Sequence, residues 1–229
     1  MTATLTQTAP QAVLDGNIAA LIAAGASDLA IDTHILASTR YIQRGAPDDH
    51  NVDLATTSIA SGLYGKPLVR LGGRHRQAAQ QALLEISQVE VNDRDVVHRS
   101  CLYSHERGTA QLTLNDWHAR RLQQGDWIAV DPHPLYRLRG IARTLWLLLS
   151  APRPFAFTRE SLAVPLDADA YRALGITAPR ARDRKRNLKL AAQYVLSTDD
   201  RYVEFAITPD PTRTNGDLFT VTRRRVNAS

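Results

Sequence analysis

The chain is poor in cysteine, with only Cys101 among its 229 residues. A single cysteine excludes an internal disulfide framework and is typical of proteins from a reducing cytoplasm. Long apolar runs are also missing, since none approaches the ~20 residues that span a bilayer. The N-terminus lacks the basic segment that opens a signal peptide. These absences predict a cytoplasmic protein with no membrane partner.

The residue patterns of common active sites are equally scarce. No two histidines are separated by a single apolar residue, which is the ligand pattern of metal-dependent DNA-nicking enzymes. The segment Gly62–Lys66 is short for a phosphate-binding loop, and Pro67 stands where such loops need Ser or Thr. His98, Cys101 and His105 are spaced as metal ligands can be, but a structural zinc site needs a fourth ligand. We therefore predict that the chain is not an enzyme and binds no cofactor.

Positive charge, by contrast, is present in excess and is concentrated in one place. The net charge of the chain is +5, and the segment Arg180–Lys189 alone contains six basic residues and one acid. Leu188, Ala191, Ala192 and Val195 recur at helical spacing, so the segment from Pro179 to Val195 is predicted to be a helix with one apolar side. A helix with a cationic outer face suits an extended polyanion, although many basic runs are simply solvated surfaces.

The order of predicted elements around this helix occurs twice along the chain. The first half has helices at Asp28–Ile42, Thr56–Tyr64 and Arg74–Gln88, followed by β-strand patterns up to Leu114. The second half has helices at Leu135–Ser150, Thr158–Val164 and Pro179–Val195, followed by strands at Tyr202–Ile207 and Leu218–Thr222. Three helices followed by a β-hairpin is the order of a winged helix, a variant of the helix-turn-helix.

The sequence therefore predicts an α+β protein with two tandem winged-helix domains. We place a flexible N-terminal arm at residues 1–26, the first domain at 27–125 and the second domain, with the basic recognition helix, at 126–229.

Four stretches carry most of a family resemblance: LTLNDWHARRL, GIARTLWLLLSA, FTRESLAVPL and APRARDRKRNLKLAAQYV. In the first half, IASGLYG and RHRQAAQQALLEISQVEV follow a similar order. With these stretches in this order along the sequence, the chain resembles the iteron-binding plasmid replication initiators, and is most similar to those of IncQ-type plasmids. The resemblance implies two winged-helix domains that bind directly repeated origin DNA and promote its opening. It also implies a replicative helicase or host initiation proteins as partners, and a homodimer formed through the first domain.

On this interpretation the basic helix enters a major groove by its N-terminal half. Arg180, Arg184 and Lys185 are candidates for guanine edges, and Arg182, Arg186 and Lys189 for phosphates. The remaining predicted DNA contacts are Thr177, the first-domain residues Arg74, His75, Arg76, Gln77 and Gln81, and Arg223, Arg224 and Arg225 after the last strand. Two other functions stay open: a winged-helix transcriptional regulator, and a module whose basic helix binds acidic protein or RNA.

Overall fold

The computed structural model describes residues 11–55, 72–93, 96–99, 101–106, 109–152, 161–213 and 216–224. The predicted helix Thr56–Tyr64, the cap Thr158 and Arg225 lie outside these residues. The chain divides into two compact units. Unit 1 extends to Pro132 and includes the short segment 151–152. Unit 2 comprises His133–Ser150 and the described residues from 161 onward.

Unit 1 combines helices with short antiparallel strands. Its elements are β1 (Ala12–Asp15), α1 (Ile18–Ala23), α2 (Asp28–Gln43), β2 (Asn51–Ala55), α3 (Gly73–Gln88), β3 (Glu90–Asp93), β4 (Val96–Arg99), β5 (Cys101–Glu106), β6 (Thr109–Leu114), α4 (Asp116–Gln123) and β7 (Trp127–Val130). One sheet has the order β2-β6-β5, and the pairs β1-β7 and β3-β4 form two further antiparallel ribbons.

The two long helices of unit 1 confirm the sequence predictions. α2 begins after Ser27, whose hydroxyl accepts a hydrogen bond from the backbone N–H of Ala30, as expected of an N-cap residue. In α3 the predicted apolar stripe of Ala79, Ala82, Leu83 and Ile86 is buried. The stripe recurs once per turn, so a single face of α3 packs on the core of unit 1.

The prediction of a flexible arm over residues 1–26 is wrong for the described part beyond Gln11. Ala12–Asp15 is a buried strand rather than a tail, because it pairs with Trp127–Val130 along its whole length. Ile18 and Leu21 of α1 are buried as well. The same pairing corrects the predicted boundary at residue 125, since β7 completes unit 1 and the division falls after Pro132.

Unit 2 has a smaller set of elements. These are α5 (His133–Arg137), α6 (Gly140–Ser150), β8 (Ser161–Pro165), α7 (Ala168–Ala173), α8 (Ala181–Thr198), β9 (Tyr202–Pro209) and β10 (Asp217–Arg223). The three strands form one antiparallel sheet in the order β8-β10-β9. Its last strand therefore lies in the middle, as β6 does between β2 and β5 in unit 1.

Two predictions for unit 2 need correction. The expected continuous helix Leu135–Ser150 is divided into α5 and α6, and Gly140, at the start of α6, has a positive φ of 51°. The predicted short helix ending at Val164 is a strand over Ser161–Pro165, because this segment pairs with β10. Long-range pairing thus overrides the local helix pattern.

The core of unit 2 lies between α8 and its neighbours. Leu188, Ala191, Ala192 and Val195 of α8 are buried, as the sequence predicts, and the helix packs against α6 and β9. Among the described residues of both units, no helix combines the length and apolarity needed to cross a membrane.

Candidate nucleic-acid interface

The outer face of α8 presents a row of cations. Arg182, Arg186 and Lys189 are exposed, and they recur at spacings of four and three residues on the side opposite the buried stripe. With a rise of about 1.5 Å per residue, this row is roughly 10 Å long. Arg180, also exposed, occupies the N-cap position with an extended backbone. The structure therefore brings four of the predicted DNA-contacting residues to the solvent-facing side and N-terminal end of one rigid helix.

Arg184 does not belong to this exposed row. Its Nη1 donates hydrogen bonds to the carbonyl oxygens of Ala178 and Pro179, at 3.2 and 2.9 Å. Its guanidinium also lies over the ring of Tyr171, 5.3 Å from the centroid. These contacts hold the side chain against the segment that leads into α8, so a contact of Arg184 with a guanine edge would require them to be released.

Lys185 is likewise engaged within the protein. Its Nζ lies 2.6 Å from a carboxylate oxygen of Asp217, the first residue of β10. Both side chains are partly buried, at 39% and 21% exposure. The ion pair ties α8 to the sheet and neutralises the lysine. The predicted contact of Lys185 with a base would require this ion pair to be broken.

Arg223 at the end of β10 also turns inward. Its Nη2 donates a 2.6 Å hydrogen bond to the carbonyl oxygen of Leu149, and the guanidinium lies 5.4 Å from the ring centroid of Tyr202. Burial lowers the pKa of Arg223, an effect that Tyr202 partly opposes. The predicted contact of Arg223 with the DNA backbone is thus not available in this arrangement, whereas Arg224 is exposed.

The polar first half of α3 is the corresponding surface of unit 1. Arg74, Arg76, Gln77 and Gln81 are exposed, as the sequence predicts. His75 is partly buried, and its Nδ1 accepts a 3.3 Å hydrogen bond from the N–H of Gly72. This histidine closes the first turn of the helix, while the other four side chains remain accessible to a ligand.

Three exposed residues of unit 2 were not among the predicted contacts. Leu190 and Tyr194 continue the outer face toward the C-terminal end of α8, at 48% and 65% exposure. Arg213 lies in the loop between β9 and β10 and is 54% exposed, with carboxylates of Asp167 and Asp210 at 3.7 and 3.9 Å. The helical periodicity of α8 could have identified Leu190 and Tyr194 as residues of its outer face, and the position of Arg213 between two predicted strands could have identified it as a loop cation.

Thr177, a predicted contact, is exposed just before the helix.

The arrangement of charge along α8 is unfavourable for an isolated helix. The N-terminal end of a helix carries a partial positive charge, so cations there destabilise it by about 0.3–1 kcal/mol each. Arg180, Arg182, Arg184, Lys185 and Arg186 all lie in this half, and Asp183 is the one acidic residue in the first turn. An anion bound at this end would relieve the repulsion.

No protein-family model matches the chain, and a search of curated proteins found no relative.

Proposed function

We propose that the chain is a plasmid replication initiator that binds repeated double-stranded origin DNA through two winged-helix units and promotes origin opening. The observation that carries the proposal is the outer face of α8. It holds three exposed cations in a row on a helix whose opposite face is fixed in the core of unit 2. Such a helix is able to lie in a major groove about 12 Å wide without unfolding any part of the unit.

The topology of unit 2 supports the winged-helix interpretation. Its elements follow the order helix, strand, helix, helix, strand, strand, from α6 to β10. The strand between the first two helices pairs with the last strand, and the final two strands form a hairpin. In this arrangement α7 and α8 correspond to the helix-turn-helix pair, and the loop that contains Arg213 corresponds to the wing.

Unit 1 supports the same interpretation by its strand order. The sheet β2-β6-β5 has its last strand in the middle, as the sheet of unit 2 does, and α3 precedes the final hairpin. The hairpin β3-β4 is an addition between α3 and that sheet. The exposed polar residues of α3 then take the place that the α8 cations have in unit 2.

The contacts with DNA are reassigned from those the sequence predicted. Arg180 and Arg182, at the N-terminal end of α8, are the candidates for base edges, where a bidentate arginine contributes about 1–3 kcal/mol of discrimination. Arg186 and Lys189 are the candidates for phosphates. The macrodipole of α8 favours the same orientation, because negative phosphates then lie close to the positive end of the helix.

Footprinting is the first test. Duplexes that bind the purified chain are selected from a random pool, and the best binder is probed with hydroxyl radicals. Two tandem winged helices should protect two successive helical turns on one face of the duplex. Protection confined to one turn, or no preference for duplex DNA over RNA, would contradict the proposal.

A replication assay then separates an initiator from a regulator. The gene and its flanking DNA repeats are placed on a replicon that cannot otherwise replicate in the host, and transformants are counted. We expect transformants with the wild type and none with a chain in which Arg182, Arg186 and Lys189 are replaced by glutamine. Duplex binding without any replication would exclude the initiator and leave a regulator.

We propose two kinds of partner. One is a replicative helicase or a host initiation protein, and the other is a second copy of the chain, in a homodimer formed through unit 1.

A further inference from the structure

Four polar side chains meet in the interior of unit 1. Oδ2 of Asp15 lies 2.7 Å from Nε2 of His34 and 3.0 Å from Nε2 of His118. The hydroxyl of Ser38 lies 2.9 Å from the same oxygen and 3.3 Å from Nε2 of His118. All four residues are at most 2% exposed. Two imidazole nitrogens and two oxygens thus converge on one water-inaccessible point, which we name the DHHS cluster (Asp15, His34, His118 and Ser38).

One carboxylate oxygen serves three of these neighbours. Asp15 Oδ2 is within hydrogen-bond distance of three donors, and the imidazole rings of His34 and His118 stack at 4.6 Å between centroids. The other carboxylate oxygen accepts a 2.8 Å hydrogen bond from the N–H of Asn17, which fixes the orientation of the carboxylate. A cation at the point where these atoms converge would lie within reach of all four side chains.

Three members of the cluster, Asp15, His34 and His118, carry the donor types that zinc bonds, and the Ser38 hydroxyl lies beside them as a fourth oxygen. Zinc bonds nitrogen and carboxylate oxygen at about 2.0–2.2 Å, so the donor atoms of a tetrahedral site are about 3.3 Å apart. The separations of 2.7, 2.9 and 3.0 Å from Asp15 Oδ2 are hydrogen-bond distances, about 0.3–0.6 Å shorter than this value, so the side chains would have to move apart by that amount to admit the ion. Two imidazole ligands disfavour Mg²⁺ and Ca²⁺, which prefer oxygen alone, and favour zinc.

We infer that the DHHS cluster is a structural zinc site. Its complete burial leaves no open position for a substrate, which distinguishes a structural from a catalytic site. Asp15 comes from β1, His34 and Ser38 from α2, and His118 from α4. The ion therefore connects three elements, two of which contribute ligands 103 positions apart in sequence. Zinc would fasten the N-terminal strand to the body of unit 1.

The test uses the full-length chain without a histidine tag, purified after growth with zinc. We expect about one zinc per chain by elemental analysis. Asp15→Asn preserves the size of the side chain but removes its charge, and it should weaken zinc binding by at least about 100-fold. His50→Gln is the matched control, because His50 also pairs with a carboxylate (Asp116, 3.1 Å) but on the surface. The control should keep the wild-type zinc content.

A second measurement remains informative if Asp15→Asn fails to fold. The wild-type chain is stripped with a chelator, and its thermal unfolding is followed with and without added zinc. We expect the midpoint to fall on stripping and to recover with zinc, and Co²⁺ to give the visible absorption of a tetrahedral site that zinc displaces. A wild-type chain that is purified without zinc and whose midpoint does not respond to zinc or chelator would overturn the inference. The cluster would then be held by hydrogen bonds alone.

Discussion

Neutralising the outer face of α8 gives the most direct test of DNA binding. The variant replaces Arg182, Arg186 and Lys189 by glutamine, which keeps the length and polarity of the side chains while removing three charges. All three residues are exposed, and surface substitutions of this kind usually change the free energy of unfolding by less than about 0.5 kcal/mol each. A loss of binding can therefore be assigned to the interface rather than to unfolding.

The expected size of the effect follows from counterion release. Each phosphate contact contributes about 0.9 to the slope of log K against log salt on duplex DNA. Losing the two phosphate contacts of Arg186 and Lys189 should lower the magnitude of the slope by about 1.8, and affinity should fall roughly 60-fold at 0.1 M salt relative to a 1 M reference. If Arg182 contacts a phosphate instead of a base edge, the change in slope is nearer 2.7, for three contacts.

Fluorescence anisotropy of a labelled duplex between about 50 and 200 mM salt measures this slope. The matched controls are the single variants Arg186→Gln and Lys185→Gln, which remove one charge each from adjacent positions of the same helix. Lys185 is paired with Asp217, so only the Arg186 variant should flatten the slope. If both singles act equally, net charge rather than the outer face governs binding. An unchanged slope in the triple variant would refute the interface itself.

Three predictions concern stability. Arg184→Met should lower the free energy of unfolding of unit 2 by about 1 kcal/mol in urea titrations, because one part-buried and one exposed hydrogen bond from the guanidinium are lost, and should leave the salt slope unchanged. Burial by itself raises the pKa of Asp199. Hydrogen bonds from Arg201 and Trp146 outweigh this effect of burial, so the pKa of Asp199 in the folded state is lowered. The ionised carboxylate of Asp199 therefore stabilises the fold fully above the unfolded pKa of about 3.9, and this stabilisation is lost as pH falls through the folded pKa. Asp199→Asn should flatten the dependence of the unfolding free energy on pH at the acid side, and an unchanged acid slope would contradict this. Leu83→Ala should cost about 2–5 kcal/mol in thermal or urea unfolding, whereas Leu84→Ala, 43% exposed, should cost far less.

The helices were predictable wherever one face is apolar over several turns. α3 and α8 each have four buried residues at helical spacing, and both were predicted with bounds within two or three residues of those observed. The strands β1 and β8 were not, because their conformation depends on partners far away in the chain. Ala12–Asp15 has no period of its own over four residues, and only β7 makes it a strand.

The exposed cations of the candidate interface were predictable from the same helical periodicity. The side of α8 opposite Leu188 follows from periodicity alone, and Arg182, Arg186 and Lys189 lie there as expected. Arg184 lies toward the buried side of the helix, and whether it reaches solvent depends on Tyr171 and on the backbone before α8, which no local pattern specifies.

The DHHS cluster could not be recognised from the sequence at all. His34 and His118 are 84 positions apart in the chain, and neither histidine belongs to a sequence motif with metal-ligand spacing. Only the folding of β1, α2 and α4 around a common core brings the residues together.

The pairing of β1 with β7 has a consequence for how the chain folds during synthesis. Val13 and Leu14 are fully buried against a partner strand that ends at Val130, so they leave the ribosome long before that partner exists. At about 5–20 residues per second, the interval is on the order of ten seconds. During this time β1 lacks its partner strand β7. Closing the long loop between β1 and β7 is also entropically costly. β1 can therefore complete its pairing only after β7 has been made, and unit 1 should be most susceptible to proteolysis and aggregation in the interval before β7 emerges.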